Sequence, residues 1–171
     1  MPDYPNYHIG LRQNISPMYD LQDYLSPINV AEINDDTDYN DSQMGSILRI
    51  NQEYIPDLEG IDIVFVGINE YRGEAALPEE NSADAIRKQF YRLHYWHQNV
   101  QMADIGNVKI GASLKDSYHV LKIVLKELLE LNKTVVIIGG SHDITLAQYY
   151  AYKDIGNLID ATVVDAIIDL K

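Results

Sequence analysis

The sequence predicts an α/β domain, a parallel sheet with helices on both faces, and three features predict it. Short β-branched apolar runs recur at residues 61–67 and Thr134–Ile138, each closed by glycine. Between and after them, apolar residues return every three or four positions, the spacing of a helix with one buried face. Strand and helix therefore alternate, an order that calls for right-handed crossovers and parallel strands.

Residues 1–56 are rich in Tyr, Asn, Asp and Pro, with turn signals at Ser16-Pro17 and Ser26-Pro27. Within them, the apolar piece from Met44 to Ile50 predicts a small helix or strand. From residue 57 the pattern is regular. The strand at 61–67 is followed by a loop carrying Gly67, Arg72, Gly73 and Pro78. Asn81 or Ser82 caps a helix whose apolar face is Ala83, Ile86, Phe90 and Leu93. Residues 107–110 form a second, weaker strand. Ser113 or Asp116 opens a longer helix carrying Leu114, Tyr118, Leu121, Leu125 and Leu128, and Asn132 stops it. The strand Thr134–Ile138 ends at Gly139-Gly140; a helix over 144–152 and a strand over 161–165 complete the pattern. The chain ends at Lys171, just after a strand end, where a doubly wound domain normally continues, so we expect a truncated or half-length domain.

Composition narrows the function. Of 171 residues, 46% are hydrophobic and 23% charged, as in a folded soluble protein. Cysteine is absent, which excludes disulfides, thiolate metal sites and a cysteine nucleophile. Acidic residues outnumber basic ones 26 to 13, and a net charge of −13 repels phosphate backbones, so nucleic acid is not an expected partner. No signal-like start and no membrane-length apolar run occurs, which makes the cytoplasm the expected compartment. The acidic stretch from Glu32 to Asp41 lacks the Gly and terminal Glu of a calcium loop and reads as a solvated loop.

Ligands of open parallel sheets gather at the carboxyl ends of strands, and two such ends carry candidate residues. In Gly139-Gly140-Ser141-His142-Asp143 the glycines allow a tight turn that projects His142 over the sheet edge, as a metal ligand or as a structural histidine. Ser141, His142 and Asp143 are not a catalytic triad, because consecutive side chains cannot converge and no Gly-x-Ser-x-Gly elbow is present. Asp165 and Asp169 stand four apart at the next strand end, suited either to a hard cation or to turn-forming and solvent-facing roles.

The combination narrows the choice. Gly-Gly-Ser-His142-Asp followed about twenty residues later by Val164-Asp-Ala-Ile-Ile-Asp169 resembles the two N-terminal signature blocks of the ureohydrolase family, Gly-Gly-(Asp/Gly/Ser)-His and Asp-Ala-His-x-Asp. That family includes arginase, agmatinase and formimidoylglutamase, and formimidoylglutamase-like branches look the most similar. The match extends upstream. Val66-Gly-Ile-Asn-Glu70 resembles the family's first strand and loop. Ser82 to Arg87 with Tyr91-Arg-Leu93 resembles its Gly-Pro-x-x-Ile-Arg-x-x-Leu-Tyr-x-Leu helix, and Asp104-Ile-Gly-Asn-Val108 its Asp-x-Gly-Asp-Val segment. On this reading residues 57–171 are the N-terminal part of an arginase-like domain, and 1–56 are a family-variable extension packed on it.

The resemblance implies a three-layer α/β/α sandwich and a site for two Mn²⁺ ions whose bridging hydroxide attacks the carbon of a small guanidino or formimino substrate. It implies His142, Asp165 and Asp169 as ligands, Asp165 bridging, and no ligand role for Asp143. The pattern breaks at Ile167, which occupies the second-block histidine position and offers no donor, and the family's Asp-x-Asp block from the C-terminal half is absent. At most three ligands remain, all on one metal. We therefore expect no stable dimanganese cluster and no efficient ureohydrolase activity in this chain. Two readings stay open: an arginase-family hydrolase with an impaired or one-metal site, and a pseudoenzyme that keeps the fold for binding or assembly. A nucleotide-binding domain lacks both glycine-rich phosphate loops. Tyr149, Tyr150 and Tyr152 read as packing and interface residues, and a homo-oligomer is the expected assembly.

Overall fold

A computed structural model describes residues 21–35, 38–73, 81–156 and 158–165. In chain order they form β1 (Leu25–Ser26), α1 (Val30–Ile33), α2 (Met44–Ile47), β2 (Arg49–Ile50), β3 (Ile63–Gly67), α3 (Ser82–Phe90), β4 (Met102–Val108), α4 (Leu114–Glu130), β5 (Thr134–Ile138), a 3-10 turn (His142–Ile144) and α5 (Thr145–Asp154). The Ser16-Pro17 signal, Pro78, Ile167 and Asp169 lie outside the described residues. The segment from Met44 to Ile50, predicted as a helix or a strand, supplies both: α2 and then β2.

β3 and β5 pair in parallel in an unbroken register, from Ile63 opposite Thr134 to Gly67 opposite Ile138. On its other side β3 runs parallel to β4, with a register shift between Phe65 and Gly67. β2 is parallel to β4 and β1 antiparallel to it. The order is β1-β4-β3-β5 with β2 also on β4, so the sheet is mixed rather than wholly parallel. The strands joined by helical crossovers are parallel because a crossover returns the chain to its starting end. β1 comes from the N-terminal segment and is free of that constraint.

Pleating sorts β3 between two layers. Val64 and Val66 face the core that includes Leu121, Val124, Leu125 and Leu128 of α4 with Ala147 and Ala151 of α5. Ile63 and Phe65 face the opposite cluster, where Phe90 and Tyr91 at the end of α3 pack against Phe65. The result is helix, sheet, helix, the predicted three-layer α/β arrangement. Leu21, Leu25, Ile28, Ile33, Leu48 and Ile55 of the N-terminal segment are buried in these same clusters. α4 starts at a capping box between Ser113 and Asp116 and stops at Asn132, whose φ is 57°. Among the described residues no helix is long and apolar enough to cross a membrane.

Four local readings need correction. The buried face of α3 is not the apolar one: Ile86 and Leu93 are 44% and 56% exposed, whereas Ala83, Arg87 and Tyr91 are buried. α3 lies over a charged position of the sheet, so its inward face carries an arginine and a tyrosine. β4 begins at Met102, five residues before the predicted strand, and contains Asp104, whose charge is balanced by α3. Gly106 within it takes a φ of 96°, and a Cβ there would stand 2.2 Å from the Ser26 carbonyl oxygen, so the approach of β1 demands glycine. Residues 161–165 are not a strand. They are exposed and outside the sheet, because β-branched residues form a strand only with a ladder partner and a face to cover. In the acidic stretch, Asp35 is paired with Lys88 at 2.7 Å and Arg92 at 3.0 Å rather than simply solvated. Tyr149 and Tyr150 are exposed and meet edge to face, 5.6 Å apart.

Candidate functional site

The parallel strands β3, β4 and β5 deliver their carboxyl ends to one edge of the sheet. At the end of β5, Gly139 and Gly140 take φ values of 86° and 76° and turn the chain back. Ser141 then anchors it, its amide and its hydroxyl donating to the Glu70 carbonyl oxygen at 2.9 and 3.1 Å. His142 follows at the head of the 3-10 turn, where the Thr145 hydroxyl donates to its carbonyl at 2.7 Å. Its side chain is 69% exposed.

Asp165 arrives by another route. The segment from Leu158 to Val163 lines a cleft with Tyr149 and Tyr152 of α5. Two residues on, Asp165 Oδ2 stands 3.4 Å from His142 Nε2, with its side chain 21% exposed. Two of the three predicted donors are thus brought together. Asp169, the third, lies outside the described residues, as does Ile167. Among the described residues no group of three His, Cys, Asp or Glu converges. Neighbouring donors on one octahedral cation with bonds of about 2.1 Å stand about 3 Å apart, so an imidazole and a carboxylate at this separation fit a shared hard cation. Asp143 accepts from the Tyr118 hydroxyl and lies against Gly73.

Two buried ionic clusters flank this edge, and sequence reasoning missed both. In the first, Arg87 forks onto Asp104 through Nε at 2.9 Å and Nη2 at 2.8 Å, and its Nη1 reaches Asp84 at 2.7 Å and Asn107 at 2.6 Å. The Tyr91 hydroxyl donates to Asp104 at 2.9 Å. Burial opposes the charge on Arg87, but the hydrogen bonds and attraction of Asp104 win and raise its pKa. Burial first, then the Asp104 charge, raises that of Tyr91. Arg87 and Tyr91 belong to one of the motif blocks read from the sequence and Asp104 to another, and their pairing is the signal that could have found the cluster.

In the second, the Glu70 carboxylate is buried and accepts from the Arg72 amide at 3.0 Å, from Arg72 Nε at 2.9 Å and from Nη2 at 2.5 Å. Those hydrogen bonds from Arg72, acting against burial, hold the Glu70 carboxyl at about 2, below its ordinary 4.5. A folded-state pKa below the unfolded one stabilises the fold above about pH 4.5, and that stability is lost as pH falls towards 2. Arg72 is partly exposed, so solvent screening reduces the effect to on the order of 2 kcal/mol. Urea midpoints measured from pH 5 to pH 2 are expected to fall more steeply for the wild type than for Glu70→Gln; equal slopes would refute this origin of acid sensitivity.

The arginase family model matches residues 61–171. The chain belongs to the arginase family. Within it, the chain is similar to the formimidoylglutamase of Streptococcus gordonii, 26% identical over 113 residues that cover 62% of this chain and 34% of the relative. It is similar also to the formimidoylglutamase of Staphylococcus haemolyticus, 23% identical over 128 residues, covering 71% of this chain and 40% of the relative. A solved Trypanosoma cruzi formiminoglutamase, oxidized and with Mn²⁺ at pH 6.0, superposes with a TM-score of 0.49 at 18% identity, over 68% of this chain and 43% of that one. The chain thus spans between a third and two fifths of the length of the curated relatives it matches.

Proposed function

We propose that this chain is the N-terminal part of a formimidoylglutamase-like hydrolase of the arginase family, acting on C–N bonds of small guanidino or formimino compounds, with a manganese site that is impaired here. The convergence of His142 and Asp165 at the carboxyl edge carries the reading. His142, Asp165 and Asp169 would hold the cation, which when bound would lower the pKa of a coordinated water. The exposed imidazole and the carboxylate beside it supply the donors; the Gly139-Gly140 turn and the Ser141 anchor hold the imidazole at the edge. Ile167 favours a second reading, a pseudoenzyme that keeps the fold for binding or assembly, because it removes a donor where the resemblance calls for one. The cytoplasm is the proposed compartment and a homo-oligomer the proposed assembly.

Metal content after incubation with Mn²⁺ tests the proposal. Wild type is expected to hold at most one Mn per chain, lost in His142→Ala, and Ile167→His is expected to hold more. Two Mn per wild-type chain would refute the impaired site, and equal retention by His142→Ala would remove His142 from it.

A further inference from the structure

Beyond the His142–Asp165 pair, Arg72 is the centre of a hydrogen-bond network at the same sheet edge. Its guanidinium joins the loops after β3 and β4, and the Glu70 carbonyl adds the loop after β5. Through Nε and Nη2 it grips the Glu70 carboxylate, in the loop after β3. Nη1 donates to the Ala112 carbonyl at 3.0 Å and Nη2 to the Gly111 carbonyl at 2.9 Å, in the loop between β4 and α4. Nη2 also donates to the Ser117 hydroxyl at 3.1 Å, and that same hydroxyl accepts from the Gly111 amide at 2.9 Å. The Glu70 carbonyl in turn takes both donors of Ser141, in the loop after β5.

We infer that Glu70 and Arg72 are positioning residues: together they tie the loops after β3, β4 and β5 into one unit and so fix where His142 stands. The inference rests on the reading of His142 as a donor only for its functional meaning; the mechanical link is independent of it. A loop held by one backbone bond opens easily, whereas Glu70 is buried, charged and held by a planar fork that lysine cannot reproduce. With its side chain immobile, the Glu70 carbonyl is a fixed acceptor, and Ser141 must sit where its amide and hydroxyl both reach it. His142 is the next residue. A network that orients a donor from outside typically changes metal affinity by about 10- to 100-fold when broken.

Amide hydrogen exchange on the full chain tests the link directly. In Arg72→Met, exchange at Ser141 and His142 is expected to rise by about tenfold or more, while amides of α4 and of the centre of β3 stay protected. Arg72→Lys, which keeps the charge without the fork, is expected to show the same local rise, and it serves if the methionine variant fails to fold. Unchanged exchange at Ser141 would overturn the inference. A uniform rise across β3 and α4 would overturn it equally, since that is the mark of a contact that merely stabilises the fold. Mn²⁺ alone then probes the functional meaning: paramagnetic broadening of the His142 ring signals should need about tenfold more Mn²⁺ in Arg72→Met. Broadening in neither protein, with the exchange difference intact, would reject the metal reading and leave the positioning unit standing.

Discussion

Replacing Arg87 with methionine is expected to cost about 3–5 kcal/mol of unfolding free energy, the largest loss we anticipate at any single position. Arg87 and Asp104 are both almost fully buried, so neither has water to fall back on when its partner is removed. The variant would leave the Asp104 carboxylate with the Tyr91 hydroxyl and the Gly106 amide but no cation, in a layer that also holds Asp84. It would also strip the hydrogen bond from Asn107 and open a space between α3 and β4. Urea unfolding followed by far-ultraviolet circular dichroism measures the loss. Adding Asp104→Leu to Arg87→Met is expected to do about 1–3 kcal/mol better than the sum of the single losses, because both ends of the unpaired interaction are then gone. A cost below 1 kcal/mol for Arg87→Met, or strict additivity in the double variant, would show that this cluster is not what joins the helix to the sheet.

The second large effect is expected at Gly139. Its φ of 86° is unfavourable for any residue with a side chain, and an added Cβ would stand 2.6 Å from the Ile68 carbonyl oxygen and 3.1 Å from the Ala83 amide nitrogen. Both are backbone atoms, one in the loop after β3 and the other in the first turn of α3, so neither can swing aside. Gly139→Ala is therefore expected to cost about 2–4 kcal/mol, combining left-handed strain with displacement of packed backbone. The displacement falls on the turn that carries His142. The unfolding midpoint measures the energetic part, and faster amide exchange at Ser141 reads the shift of the turn. A midpoint close to that of wild type would mean that the turn tolerates a side chain and that its conformation is not set by glycine.

Much of the framework was legible in order along the chain. β5 falls at Thr134–Ile138 as its run of β-branched residues predicts, and α4 starts at Ser113 and stops by Asn132 because the capping box and the left-handed stop are local chemistry. Of the candidate site, the sequence marks His142 and Asp165 by spacing and resemblance, and the structure sets them 3.4 Å apart at the sheet edge. Glu70 was not marked as part of it, because its role depends on an arginine two residues away whose other partners lie about 40 positions downstream.

What the sequence determined by itself is what depends on neighbours within a few residues: the run that becomes β5, the ends of α4 and the glycine turn before His142. Tertiary structure alone decided the rest. Asp104 extends β4 back to Met102 only because Arg87 neutralises it from another element, and α3 turns a charged face inward for the same reason. Residues 161–165 carry the residue types of a strand and do not form one, because a strand depends on its ladder partner as much as on its own side chains. Charge pairing and strand pairing join residues far apart in the chain, and local sequence carries no record of the partner.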